Sequence, residues 1–293
     1  MLADYINDIT VEQMTNHLSL IRDLIHERTG LFFRDYQGLD VLAARLSPRL
    51  GVSGCRSFSE YYGLLSEGGV TAADELLHVV ASLTKQKTSF YRQVKAAQLL
   101  VDDVIPQWLL NGRTETLRIW SAACSTGEEP LTIAMALAES GWFDRIQIEL
   151  FGSDASFVAI EKAQRGVYSE SRVMDLSPEL RFKYFTPANE GWQVRPELHK
   201  RIQWSVANLM SESEVAEFAG SHIIFCCNVF IYFSAAAISQ TLRLFAKRMP
   251  AGGCLFTDKG DYFESLVSEV DYFERQEFSG SSVWMKRLGS AHL

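Results

Sequence analysis

The sequence is poor in the residues from which metal and disulfide chemistry is built. Five cysteines, at 55, 124, 226, 227 and 254, form no CxxC pair, and with six histidines they make no cluster at zinc-ligand spacing. An odd, scattered set of thiols reads as reduced cysteine in a cytoplasmic protein. No run of about 18 apolar residues is uninterrupted, so no membrane insertion is expected. The N-terminus carries Asp4 and Asp8 without the basic region of a secretory leader. Positive charge is scarce: 28 Lys and Arg against 36 Asp and Glu leave a net charge of −8. That argues against a nucleic-acid partner, which needs a basic face. The three-glycine fingerprint of dinucleotide sites is missing too.

What is present centres on Leu117 to Leu137, LRIWSAACSTGEEPLTIAMAL. Leu117 to Ala123 is an apolar, β-prone run, as a buried parallel strand reads. Cys124 to Gly127 is a turn of small residues in which Ser125 or Thr126 can cap a helix. Glu128, Glu129 and Pro130 suit a helix's first turn. Strand, glycine loop and helix in this order form the ligand end of an open α/β sheet. One glycine and two carboxylates would repel a pyrophosphate but accept a cationic ligand such as S-adenosylmethionine. Glu128, nearest the loop, is read as ligand-facing and Glu129 as a cap.

A second strand, Ile146 to Phe151, leads to Asp154, placed either to bind ribose hydroxyls or to cap a helix from Ser156 to Gln164. Residues 189–199 read as part of a small β-hairpin insertion at about 186–200. Ile202 to Val206, His222 to Tyr232, Cys254 to Asp258 and Ser281 to Lys286 read as further strands, with a helix from Ala235 to Met249. Asn228 is the one polar residue inside the apolar run between His222 and Tyr232 and needs a partner there, structural or ligand. Before the sheet, helical spacing over residues 1–84 predicts four helices in a small domain, with 85–116 a linker helix and 117–293 the α/β domain. Arg45 and Arg49 lie one turn apart in the second helix, either as a local positive patch or as a solvated face.

These residues together resemble the CheR family of chemotaxis receptor methyltransferases over nearly the whole chain. TSFYR at 88–92, SAACSTGEEP at 121–130, Asp154, Asn208-Leu209 and NVFIYF at 228–233 carry the resemblance. It implies an N-terminal helical domain and a Rossmann-like α/β domain binding S-adenosylmethionine, with S-adenosylhomocysteine as product. It also implies methyl esterification of glutamates on chemoreceptor methylation helices. Gln86, Thr88, Arg92, Glu128, Asp154, Asn208, Leu209, Asn228 and Val229 would then surround the cofactor. Arg92 and Tyr232 would serve the transfer, and Arg45 and Arg49 would face the receptor. The chain departs from the family at Cys227, where Arg is usual, and at TDKGDY, 257–262. Its short hairpin resembles that of members that use no pentapeptide tether.

A glutamate acceptor is already anionic at neutral pH, so no general base is needed and no metal is implied. Two other readings stay open. A helical docking domain argues against a small-molecule methyltransferase, while the two departures leave room for an adaptor that binds cofactor without transferring methyl. A nicotinamide oxidoreductase is disfavoured by the missing glycine fingerprint.

Overall fold

The computed structural model describes residues 2–32, 37–84, 88–257, 261–278 and 281–287. They fall into two compact units: the N-terminal stretch together with Tyr232–Ser234, and the remainder.

The first unit is four helices, Leu2–Thr29, Gln37–Ser53, Phe58–Ser66 and Gly69–Leu83. Leu18, Ile21 and Ile25 step at helical spacing into a core shared with Leu42, Leu46, Tyr61, Leu65 and Val79. Leu31 pairs with Phe233 in an isolated β-bridge, and His26 Nε2 lies 2.8 Å from Ser234 Oγ.

Arg45 and Arg49 do not form a solvated pair. Arg45 donates to the carbonyl of Leu83 at 2.6 Å, at the end of a helix whose last turn has no basic residue of its own. Arg49 makes a bidentate pair with Glu75, at 3.0 and 2.6 Å, and Tyr61 Oη donates to the same carboxylate at 2.5 Å. Arg49 and Glu75 are 17% and 8% exposed. Both guanidiniums are thus used to tie the helices of this unit together, and the reading of the two arginines as a merely solvated face is corrected.

The second unit is built on a seven-stranded sheet. Its strands are β1 (Leu117–Ala122), β2 (Ile148–Asp154), β6 (Ile202–Val206), β7 (Ile223–Cys226), β8 (Cys254–Thr257), β9 (Phe273–Phe278) and β10 (Ser281–Lys286), in the order β6-β2-β1-β7-β8-β10-β9. A separate sheet, β3-β5-β4, comprises β3 (Val167–Tyr168), β4 (Phe185–Ala188) and β5 (Gly191–Val194). The first five strands of the large sheet are parallel, and β10 runs antiparallel to both its neighbours, β8 and β9. From β1 the chain runs outward to β2 and β6, then returns to β7 on β1's other side. The order therefore reverses between β1 and β7, the switch point where open α/β sheets take ligands at their carboxyl edge.

Several expectations are refined. The strand expected over 222–232 ends at Cys226, because Asn228 takes a left-handed φ of 60° that breaks the ladder, and a 3-10 turn, Phe230–Tyr232, follows. The hairpin begins earlier, at Phe185, and 196–199 is a helical turn. Its tight corner needs Gly191, at φ 130°, where any Cβ would sit 2.2 Å from the carbonyl of Tyr168. The helix expected to link the domains runs Val94–Leu99, a π turn Leu100–Val104 and Ile105–Leu110, and its Leu100, Ile105 and Trp108 belong to the sheet's core. β9, not expected from FERQEF, is an edge strand that buries only Phe273 fully. Among the described residues no helix is long and apolar enough to cross a membrane.

The Arg49–Glu75–Tyr61 cluster gives a stability test. Removing one partner of a buried ion pair leaves the other uncompensated. Arg49→Ala is expected to destabilise the chain by roughly 3 kcal/mol in urea unfolding. Burial works to raise the Glu75 pKa, but the hydrogen bonds of Arg49 and Tyr61 outweigh it and hold the carboxyl below the usual range. Its contribution is therefore present above the ordinary carboxylate pKa and lost as pH falls through the folded value. An Arg49→Ala midpoint equal to wild type at pH 7 would remove the cluster from the stability of this unit.

Candidate active site

The site forms where β1, β2, β6 and β7 end. After β1 the chain takes positive φ at Ala123 (58°), Ser125 (52°) and Gly127 (93°), a tight loop before the helix Glu128–Glu139. The Cys124 N–H donates to the carbonyl of Ser153 at 2.8 Å, stitching the loop to β2. Gly127 is required twice over: its φ is left-handed, and an added Cβ would lie 2.8 Å from the Trp204 ring. Neither Ser125 nor Thr126 caps the helix as expected. Gly127 is the N-cap residue and supplies no side chain.

Glu128 is 1% exposed. Its carboxylate accepts from Thr126 Oγ1 at 2.6 Å and pairs with Arg172 Nη1 at 3.2 Å. Burial raises its pKa from the ordinary glutamate value, and the Thr126 hydroxyl, its own backbone N–H, Arg172 and Lys162 work against that rise. Glu129 instead turns back to accept from Ser121 Oγ at 2.7 Å.

Asp154, at the end of β2, accepts from the backbone N–H groups of Ser125 and Ser156, each at 2.8 Å. The Ser156 bond leaves the helix cap itself to Ser156 Oγ, which accepts from Ala159 N–H. Burial raises the Asp154 pKa and the two N–H donors oppose it. After β6, Asn208 Oδ1 accepts from Met210 N–H at 3.0 Å, while Leu209 is buried beside it. After β7, Asn228 Oδ1 accepts from Gln93 Nε2 at 3.2 Å, next to buried Val229.

The segment 88–93 joins this edge. The Tyr91 N–H donates to Thr132 Oγ1 at 3.1 Å, on the helix that follows the glycine loop, and the Thr88 carbonyl accepts from Arg172. Arg92 is exposed. Tyr232 is 42% exposed and groups with the first unit. Gln86 and residues 258–260 of the TDKGDY departure lie outside the described residues.

Thr88, Glu128, Asp154, Asn208, Leu209, Asn228 and Val229 thus belong to strand-end segments of one sheet or to the turn stitched onto it. Sequence reasoning missed Gln93, Thr132 and Arg172, none of which sits in a spacing pattern that marks it, whereas Tyr168 closes the AxxKAxxGxY-like spacing at 159–168 that carries part of the family resemblance. Among the described residues no group of three His, Cys, Asp or Glu could hold a metal.

The residues fit S-adenosylmethionine rather than a dinucleotide. Two desolvated carboxylates flank the loop where a pyrophosphate would need bare N–H groups. Ser125 Oγ is buried in that loop with no protein partner, an orphan that a polar ligand would satisfy.

Comparison with known proteins gives the same answer. The model of the CheR methyltransferase all-alpha domain matches residues 16–84, and that of the CheR methyltransferase S-adenosylmethionine-binding domain matches residues 86–278. Chemotaxis protein methyltransferase of Escherichia coli is 32% identical over 265 residues, covering 87% of this chain and 89% of that protein. The Salmonella typhimurium protein of that name is 32% identical over 268 residues, with 88% and 90% covered. Chemotaxis protein methyltransferase 2 of Vibrio cholerae is 29% identical over 257 residues, with 87% and 88% covered. With both domain models matched in order and the cofactor loop in place at the sheet's switch point, the chain belongs to the CheR methyltransferase family.

Proposed function

We propose that this protein esterifies glutamate side chains of chemoreceptors with the methyl group of S-adenosylmethionine. Methylation in chemotaxis is what its relatives' names describe. The observation that carries the reading is the acidic, single-glycine loop at the switch point, with Glu128 and Asp154 both desolvated beside it.

Bound S-adenosylmethionine supplies a methyl carried on a positively charged sulfur. Glu128 is the group in reach of a cationic methionine end, and Asp154 keeps acceptor capacity for ribose hydroxyls beyond its two backbone bonds. Asn208, Leu209, Asn228 and Val229 close the sides, with two amides to orient polar edges and two apolar residues to exclude water. A carboxylate acceptor attacks as the anion, so in-line alignment and dryness do the work that a general base does elsewhere. Exposed Arg92 is suited to orient that carboxylate by a charge-assisted pair. Such a pair also damps nucleophilicity, so its role is positioning. For Tyr232, at the end of the NVFIY run, a part in the transfer rests on the family resemblance alone. Acidic methylation helices remain the proposed partner. With Arg45 and Arg49 engaged inside their own unit, they would meet other residues of its surface.

Two outcomes follow. Asp154→Ala is expected to weaken S-adenosylmethionine binding by roughly 1–3 kcal/mol in calorimetry, through lost hydrogen bonds and a loosened loop. Undiminished affinity with the fold intact takes Asp154 out of the site. Arg92→Ala is expected to reduce methyl incorporation into receptor cytoplasmic fragments at least tenfold, with cofactor affinity within about twofold of wild type. Equal loss of both moves Arg92 into the cofactor pocket. Tight cofactor binding by the wild type with no labelled methyl in any receptor fragment would make the chain an adaptor.

A further inference from the structure

Arg172 stands outside every motif that identified the site, yet it touches two of its segments. It lies in the helical turn Glu170–Val173, directly after β3. Its Nη1 donates to the carbonyl of Thr88 and pairs with Glu128 Oε1 at 3.2 Å. The same stretch makes a second attachment: Tyr168 Oη donates to the carbonyl of Thr126 at 2.7 Å. The small sheet fixes this stretch in turn. Glu170 accepts from Trp192 Nε1 of β5, and Gly191 lets the β4–β5 corner close onto the Tyr168 carbonyl.

We propose that Arg172 is a positioning residue of the cofactor site, joining Glu128 to the Thr88 turn so that the β3-β5-β4 sheet controls affinity for S-adenosylmethionine. The proposal rests on the reading that Thr88 and Glu128 line the cofactor. Its physical basis is the 1% exposure of Glu128 against 34% for Arg172. A carboxylate so desolvated stays ionised only beside a cation or several donors. The groups facing it are Arg172, the Thr126 hydroxyl and the more distant Lys162, with Tyr168 and Cys124 also near and both held neutral by burial. Without Arg172 the carboxyl takes up a proton at higher pH and can no longer hold a cationic ligand. The Thr88 turn also loses its tie to the loop.

The test is calorimetry of the full chain with S-adenosylmethionine at pH 8 and pH 6. Wild type is expected to show little change between them. Arg172→Gln is expected to bind about tenfold more weakly at pH 8, the loss of one charge-assisted contact, and weaker still at pH 6. Arg172→Lys keeps a cation for Glu128 but has no planar fork to serve both acceptors, so it should fall between the two with wild-type pH behaviour. In Arg172→Gln with Glu128→Gln, the extra pH dependence should vanish. Wild-type affinity for Arg172→Gln at both pH values overturns the proposal, as does an equal, pH-independent loss in the Gln and Lys variants. Should Arg172→Gln fail to fold, wild-type affinity for Arg172→Lys overturns it. A wild-type chain that binds no S-adenosylmethionine sinks the functional reading itself, whereas normal binding with an indifferent Arg172 sinks only this coupling.

Discussion

Asp154 carries the arrangement on which the site depends. One carboxylate at the end of β2 accepts a backbone N–H from the loop after β1 and another from the start of its own following helix. Two chain reversals that share no covalent proximity are thereby set against each other at hydrogen-bond distance. A carboxylate engaged by neutral donors is also a fixed negative charge in a desolvated place, unfavourable unless something polar or cationic completes its shell. Glu128, at the start of the helix after the loop, repeats the theme, buried and answered by a hydroxyl and a guanidinium. The edge of the sheet is thus organised around negative charge, the reverse of a phosphate site and the reason one glycine suffices there.

Much of this was legible in the sequence where local chemistry and global position agree. The apolar run to Ala122, the small-residue turn and the acidic first turn specify strand, loop and helix without help from the rest of the chain. Four of the parallel strands, β1, β2, β6 and β8, were located within a few residues, while β7 was drawn too long at its carboxyl end. Asn228 was legible as the odd residue of its run, though not as the point where the strand stops. Its left-handed backbone is a property of φ that an apolar neighbourhood conceals.

What was not legible rests on contacts between segments distant in sequence. Arg45 and Arg49 look like a helix-surface pair, because spacing reveals a common face but not what faces it. Here a carbonyl end and a buried glutamate do. The edge strand β9 carries no apolar pattern to mark it, because only one residue of it is fully buried. Nothing local marks Arg172, since its acceptors belong to Thr88 and Glu128.

Gly127 has a meaning different from that of the glycines in nucleotide-binding loops. There the missing side chain makes room for a ligand. Here the space beside its α-carbon is filled by the indole of Trp204, which also rests on Gly152, leaving 2.9 Å to a Cβ added there. The two glycines and the tryptophan are one packing unit, a knob with two sockets, so a side chain added in either socket requires a smaller residue at 204.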